Sequence, residues 1–329
     1  MSPAFHGYWT SIARALEDQG HDCHVHVYDE RAGLAAKLRA KVGDELPRRL
    51  GGGPAQRFRE HATRAAVLAV HLHVPQLVLV VKGDTLGEEF WDFLHSRRLP
   101  RVIWLYDEIR RTEYTIERLA GLAPVASYSR SDTDRLDRLG ACAAHVPLAF
   151  DPHLLPGGRS ASTDDVVFVG ARYPEREATL LALEARDVPV RAFGRDWSHH
   201  PVDRLRTWEL RRPHLPAGRG LTREEAYRVM AAASSTLNMH ADQDGFTMRT
   251  FEACGVGAVQ LIDRPDVADL YEPGVELLAY SSLDELVDLC HRVRGDRRWA
   301  QRLRAAAQRR TAAEHTFAHR LRALEELWG

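Results

Sequence analysis

The hydrophobic positions of this chain fall into short continuous runs, separated by longer stretches in which apolar residues recur every three or four positions. Runs such as Leu77-Val-Leu-Val-Val81, Val102-Ile-Trp-Leu105 and Val166-Val-Phe-Val169 lack the in–out alternation of a half-exposed strand. Such runs suit strands covered on both faces, as in a parallel sheet, and the intervening stretches suit amphipathic helices. Over the first half the pattern predicts strands at Cys23–Tyr28, Leu77–Lys82, Arg101–Tyr106, Val125–Ser129 and Ala144–Pro147. It predicts helices at Tyr8–Gln19, Gln56–Leu72, Glu88–Arg97 and Ser131–Leu139. Residues Asp151–Asp164 then turn polar and rich in Pro, Gly and Ser, the composition of a linker. The alternation restarts with strands near Asp165–Gly170, Val190–Gly194, Ser235–Met239, Ala258–Ile262 and Glu276–Tyr280. Helices are predicted at Tyr173–Ala185, Thr222–Ala232 and Thr247–Cys254, and from Leu283 almost to Gly329, with breaks at Gly295 and near Thr311.

Strand and helix alternating twice, on either side of a linker, predict an α/β fold of two Rossmann-like, doubly wound parallel-sheet domains. The expected boundaries are 1–152 and 153–310, with 311–329 a terminal helix for which a return to the first domain is open. Open parallel sheets bind ligands at the C-terminal ends of their strands, so the expected site is a central cleft faced by both sheets. Residues Gly7–Gly20 read as the first helix of a nucleotide-binding domain with its C-cap glycine, yet only Met1–His6 precede them. The first strand is therefore expected to be missing, or to begin upstream of this start.

The formal net charge of −1 removes any global electrostatic case for nucleic acid or an anionic membrane as partner. Of 45 basic residues only Lys37, Lys41 and Lys82 are lysine, which reads first as codon bias. Cys23, Cys142, Cys254 and Cys290 are too scattered for a zinc spacing or a disulfide framework. With no signal peptide and no apolar run near the roughly 20 residues of a membrane helix, the expectation is a soluble cytoplasmic protein.

The densest chemistry lies at Asp244-Gly-Phe-Thr-Met-Arg-Thr-Phe-Glu252. Two acids flank a turn into a helix, and a glycine-punctuated run leads back into a strand. A helix start presents unpaired N–H groups and partial positive charge, a natural seat for a diphosphate. Acids beside that seat accept hydrogen bonds from sugar hydroxyls instead, and together these features point to a nucleotide-sugar.

Asp244-Gly-Phe-x5-Glu252, with Gly257 five residues on, resembles the acid-x7-acid signature of retaining GT-B glycosyltransferases. More narrowly, the second half resembles the CgeB-like glycosyltransferases, named after a spore-maturation protein. The matching segments are Phe168–Arg176, Thr236–Met239, Arg249–Glu252, Tyr271–Glu276 and Glu314–Arg320, in family order. The first half agrees more loosely, through Leu16-x3-Gly-His21, Leu77–Gly83 and Val146–Asp151. Asp244 stands where relatives usually have glutamate, and alanine follows Gly170 where many have arginine. The resemblance implies GT-B architecture and transfer of a sugar from a UDP-, GDP- or dTDP-sugar to a small-molecule or glycan acceptor. It implies retention at the anomeric carbon, no required cofactor and no metal. A GT-B-type nucleotide-sugar epimerase and a non-catalytic nucleotide-sugar-binding protein are the alternatives.

By the same resemblance Glu252 accepts hydrogen bonds from the donor ribose, where the plain alternative is a solvated helix glutamate. Asp244 holds the transferred sugar or its developing charge, or else is the helix N-cap. Gly245, Phe246, Thr247 and Met248 aim backbone N–H groups at the diphosphate, and Gly170 closes the first strand of this half. Arg172 and Arg176 are candidates for stabilising the departing diphosphate, against a background of surface arginines. Arg249 faces phosphate or anchors its own helix. Asn238 orders the loop or touches the donor, and His240 is either a phosphate donor or a structural histidine. In the first half Gly7 and His6 form the amino-terminal loop. Asp107 is the candidate base or acceptor-hydroxyl anchor, with a loop-capping role as its alternative. His24 and His26 share the polar face of the expected strand Cys23–Tyr28, which accounts for them without a metal. The basic stretch Arg31–Arg64 reads as a solvated helical surface, with a region facing an anionic or lipid-linked acceptor as its alternative.

Overall fold

The structure is a computed structural model and describes residues 1–29, 56–158, 162–209 and 211–328. The basic stretch Arg31–Arg64 up to residue 55, and linker residues 159–161, lie outside the described residues. The chain forms two compact units, Met1–Pro147 with Ala318–Gly329, and Leu148–Phe317. None of the described helices is long and apolar enough to cross a membrane.

The first unit carries a parallel sheet of β1 (Val78–Val81), β2 (Arg101–Leu105), β3 (Val125–Ser127) and β4 (Ala143–His145), in that order. Its helices are α1 (Tyr8–Asp18), α2 (Gln56–His73), α3 (Glu88–Ser96), α4 (Ile116–Leu122) and α5 (Arg130–Arg138). Val80, Ile103 and Leu105 pack against Phe90, Trp91 and Leu94 of α3, so the continuous apolar runs are buried as their pattern predicts.

The slot of the missing first strand is filled, by a stub. The Val81 N–H donates to the Met1 carbonyl at 2.9 Å, and the Met1 amine donates to Leu79 at 2.8 Å. On the other side Ser2 forms a single parallel bridge with Val27. The expected strand Cys23–Tyr28 reduces to that bridge, because a partner this short pairs only with the His26–Tyr28 backbone. The shared polar face of His24 and His26 goes with it. His24 instead stacks on His73, with ring centroids 3.3 Å apart. Spatially the order becomes Val27, Ser2, β1, β2, so the winding reverses direction between Ser2 and β1.

The second unit has six parallel strands: β5 (Val166–Val169), β6 (Val190–Phe193), β7 (Ala217–Gly218), β8 (Ser235–Asn238), β9 (Gln260–Ile262) and β10 (Leu278–Ala279). Their spatial order is β10-β9-β8-β5-β6-β7. The chain builds outward from β5 to β7, then returns to lay β8 on the other side of β5. That is a doubly wound topology with its switch point between β5 and β8. The helices are α6 (Pro174–Glu184), α7 (Pro201–Thr207), α8 (Arg223–Ala232), α9 (Met248–Gly255), α10 (Leu283–Gly295) and α11 (Arg297–Glu314); the terminal helix α12 (Phe317–Trp328) belongs from Ala318 onward to the first unit.

Helix α9 is fixed at its far end by two glycines. Gly257 has φ +72°, which lets the Ala258 N–H close the helix on the Ala253 carbonyl at 2.9 Å. Gly255 lies against the Phe150 ring, where an added Cβ would come within 2.4 Å. Phe150 also sets where α11 stops. Its N–H donates to His315 and its carbonyl accepts from Phe317, so the helix ends at Glu314 rather than near Thr311. Thr311 stays helical, its hydroxyl bonded to the Ala307 carbonyl at 2.8 Å.

Candidate functional site

The switch point of the second unit gathers most of the residues singled out in the sequence. Gly170 follows β5, and Met239 and His240 follow β8. Arg176, in the first turn of α6 and 8% exposed, joins the two loops. Its guanidinium donates to the Ala171 carbonyl at 3.1 Å and the Met239 carbonyl at 2.5 Å. It also lies over the Tyr173 and Phe168 rings. Gly170 allows close packing: its carbonyl accepts from the Trp197 indole at 3.0 Å, and a Cβ would meet the Phe168 ring at 3.0 Å. Arg172 turns elsewhere, bonded to Glu177 at 2.7 Å and Glu209 at 2.9 Å. Burial opposes its charge, but the carboxylates outweigh that and raise its pKa.

The start of α9 is built by its neighbours. Its N-cap is Thr247, not Asp244, and the Thr247 side chain makes no capping hydrogen bond. Asp244 lies three residues ahead of that N-cap, which corrects the N-cap alternative for it. His240 is fully buried and uses both ring nitrogens. Nδ1 faces Asp263 at 3.1 Å, and Nε2 accepts from the Thr247 N–H at 3.4 Å. Asn238 donates to Thr250 and to Gln260, both at 3.0 Å, pinning α9 to β8 and β9. Both residues therefore hold the loop and helix in place.

Asp244 itself is exposed while Gly245 is buried. The turn is clamped by Arg264, which donates to the Gln243 carbonyl at 2.7 Å and the Asp244 carbonyl at 3.0 Å. The same guanidinium lies over Phe246, 4.7 Å from the ring centroid, and pairs with Asp266. No motif marked Arg264 in a chain so rich in arginine.

Glu252 is fully buried. Arg249, one turn earlier, donates to its Oε2 at 2.7 Å, and Arg223 at the start of α8 lies 3.7 Å from Oε1. Arg223 also lies 4.0 Å from the buried Asp151, so Glu252 belongs to a charged cluster of two arginines and two acids. A solvated glutamate is excluded, and Arg249 does anchor its own helix. Arg223 was not legible as part of this group.

In the first unit His6 and Gly7 form the turn into α1, both left-handed, with φ 47° and 69°. Asp107 follows β2 and bonds the Lys82 ammonium at 2.9 Å. Among the described residues no group of three or more His, Cys, Asp or Glu is placed to hold a metal ion.

With this geometry in view, residues 175–326 match a family described as "Glycosyl transferase-like". No curated protein sequence matches the chain. Among solved structures, a glycosyltransferase from Rickettsia africae ESF-5 is similar at TM-score 0.62 and 10% identity, over 99% of this chain and 96% of that one. Anabaena HepE, solved with UDP-glucose, is similar at TM-score 0.60 and 14% identity, over 90% and 89%. A sucrose-phosphate synthase from Thermosynechococcus elongatus is similar at TM-score 0.58 and 14% identity, over 83% and 79%. At these identities the neighbours bear on fold, and the fold is GT-B. The family match covers residues 175–326, a little under half of the chain, and the neighbours share its fold.

Proposed function

We propose that the chain is a CgeB-like glycosyltransferase that moves a sugar from a nucleoside-diphosphate sugar to a hydroxyl acceptor, with retention. The observation that carries the reading is the start of α9 beside the β5–β8 switch point. There a helix N-terminus, whose N-cap Thr247 makes no side-chain capping bond, stands next to a sheet edge where ligands of doubly wound folds bind. The HepE neighbour, solved with UDP-glucose, adds weight to a nucleotide-sugar ligand.

In this reading the α9 amides and Arg249 take the charge of the departing diphosphate. The bond from the anomeric carbon to the diphosphate breaks, the acceptor oxygen bonds that carbon, and the leaving phosphate takes the acceptor proton. Asp244, on the exposed turn, meets the transferred sugar. Arg176 is a positioning residue rather than a phosphate ligand, because its N–H groups hold two carbonyls. Arg172, held by two carboxylates, is assigned to structure. Glu252 receives the ribose only if one of its oxygens exchanges an arginine for a hydroxyl; otherwise it sets Arg249. On the acceptor side we assign His6, Gly7 and Asp107.

A thermal-shift panel of UDP-, GDP- and dTDP-sugars tests the donor site. A ligand at 100 times its dissociation constant adds about 2.7 kcal/mol of stability, so one member of the panel is expected to raise the melting temperature. No shift from any of them would remove the reading.

A further inference from the structure

Buried side chains between β8, β9 and α9 form a chain of hydrogen bonds whose direction is fixed from both ends. Asn238 is 4% exposed, and His240, Thr250 and Gln260 are 0% exposed. At one end the Gln260 amide nitrogen donates to the Thr250 backbone carbonyl and to the Cys254 sulfur, both at 3.2 Å. A carbonyl only accepts, so the Gln260 oxygen is the atom that faces Asn238, at 3.0 Å. Asn238 therefore donates there, and its amide nitrogen also donates to the Thr250 hydroxyl at 3.0 Å. The hydroxyl turns its own proton to His240 Nε2, 3.3 Å away.

The other end gives the same answer. The Thr247 backbone N–H only donates, and it meets the same Nε2 at 3.4 Å. Nε2 thus receives two donors and carries no proton, which places the ring proton on Nδ1. Nδ1 faces Asp263 Oδ1 at 3.1 Å, and an ionised carboxylate accepts without donating. Asp263, directly after β9, also accepts the His240 backbone N–H through its two oxygens, at 3.1 and 2.9 Å. One residue thereby fixes the place of His240, the orientation of its ring and its tautomer.

The tautomer matters to α9. Of Gly245, Phe246, Thr247 and Met248, all expected to aim N–H groups at a diphosphate, Thr247 spends its own on the imidazole. His240 therefore anchors the N-cap residue itself, and through Thr250 it also holds the first turn of the helix. The Phe246 ring packs edge to face on the same imidazole, with centroids 5.4 Å apart. A proton on Nε2 would confront the Thr247 N–H with a second donor inside a buried site, where unmatched donors are costly. The start of α9 would have to move to relieve it.

We propose that Asp263 is a positioning residue for the donor site: through the Nδ1–H tautomer of His240 it sets where α9 begins, and so where the donor diphosphate is received. The role rests on the nucleotide-sugar reading of α9, whereas the tautomer stands apart from it. Nitrogen-15 NMR of the histidine rings in the full chain reads the tautomer, the His240 signals being those lost in His240→Gln. Calorimetric titration with UDP, GDP and dTDP reads affinity. In the parent protein His240 is expected to be neutral, with its proton on Nδ1. Asp263→Leu removes the acceptor and is expected to give mixed tautomers. It should also weaken whichever diphosphate binds the parent by about tenfold, the scale of one buried hydrogen bond. Asp263→Asn keeps an acceptor oxygen and is expected to retain the Nδ1–H form, with affinity within about threefold of the parent. Three results would overturn the role and leave the donor reading standing: an Nε2 proton in the parent, an Asp263→Leu protein in which tautomer and affinity do not both change, or a loss of about tenfold in Asp263→Asn. The parent tautomer and Asp263→Asn decide the matter if Asp263→Leu does not fold. A parent protein that shows the expected tautomer but binds none of the three diphosphates would remove the donor reading, and the positioning role with it.

Discussion

The guanidinium of Arg176 donates to the carbonyl of Met239 at 2.5 Å, tying the loop after β5 to the loop after β8 across the switch point. A charge expected to face a diphosphate is instead the fastener that shapes the crevice. Replacing it leaves the Ala171 and Met239 carbonyls without their donor in a buried setting. Arg176→Ala is expected to lose about 2–4 kcal/mol of stability, read by urea denaturation. At a temperature where the variant is folded, KM for the donor should rise more than kcat falls. A large fall in kcat with unchanged stability would show that Arg176 acts on the leaving group directly.

Glu252 gives a test of the opposite kind. Fully buried between Arg249 and Arg223, it cannot be truncated without stranding two guanidinium groups. Glu252→Ala should cost about 3–5 kcal/mol and weaken donor binding, whereas Asp244→Asn, on the exposed turn, should leave stability alone and lower turnover. Denaturation together with donor titration separates the two; a fully stable Glu252→Ala protein would contradict the buried cluster.

Gly255 and Phe150 form a contact with no room for a methyl group. Gly255→Ala is expected to destabilise by about 1–3 kcal/mol, with partial recovery in the Gly255→Ala, Phe150→Leu double variant. Gly295→Ala, at a position where nothing lies within 4 Å, should be neutral or stabilising by about 0.4–1 kcal/mol. Two matching melting curves would refute the packing argument.

Acid should unfold the second unit partly through Asp203. Its buried carboxylate, in the first turn of α7, receives hydrogen bonds from Arg219 at 2.8 Å and Ser198 at 2.8 Å. The Arg219 bond first, and the Ser198 bond with it, hold its pKa below the ordinary carboxylate value despite burial. A depressed native pKa stabilises the fold above the unfolded value of about 3.9 and loses that contribution as pH falls through the native one. Asp203→Asn should therefore be less stable than the parent at neutral pH and converge with it at the acid end. A constant difference down to low pH would contradict this.

The thiols offer a check on burial. Cys290 is fully buried, and desolvation pushes its pKa up to about 12; Cys254 is also buried and raised. Cys142 is exposed and should react first with a maleimide, while Cys254 and Cys290 wait for unfolding. Early labelling of Cys290 would show that α10 opens readily.

The parallel strands were legible because β-branched runs such as Val78–Val81 and Val166–Val169 need cover on both faces, whatever surrounds them. The stub at Met1–Ser2 and the two-residue β7 were not, because strands that short take their pairing from neighbours and carry no pattern of their own. The stretch Asp244–Glu252 stood out as a turn into a helix, but which residue capped it depended on where the loop began to coil, three residues later than the acid. Arg223 and Arg264 escaped notice for a plain reason. In an arginine-rich chain a guanidinium declares its charge in sequence, and only the fold declares whether it faces water, a carboxylate or a backbone carbonyl.

The central claim is glycosyl transfer from a nucleoside-diphosphate sugar. Its most direct measurement is mass spectrometry of the chain incubated with UDP-, GDP- or dTDP-glucose and with glucose or maltose. The account predicts that one donor yields free nucleoside diphosphate in step with an acceptor heavier by one hexose. Nucleoside diphosphate released with no glycosylated product, or no turnover of any donor that binds, would contradict it.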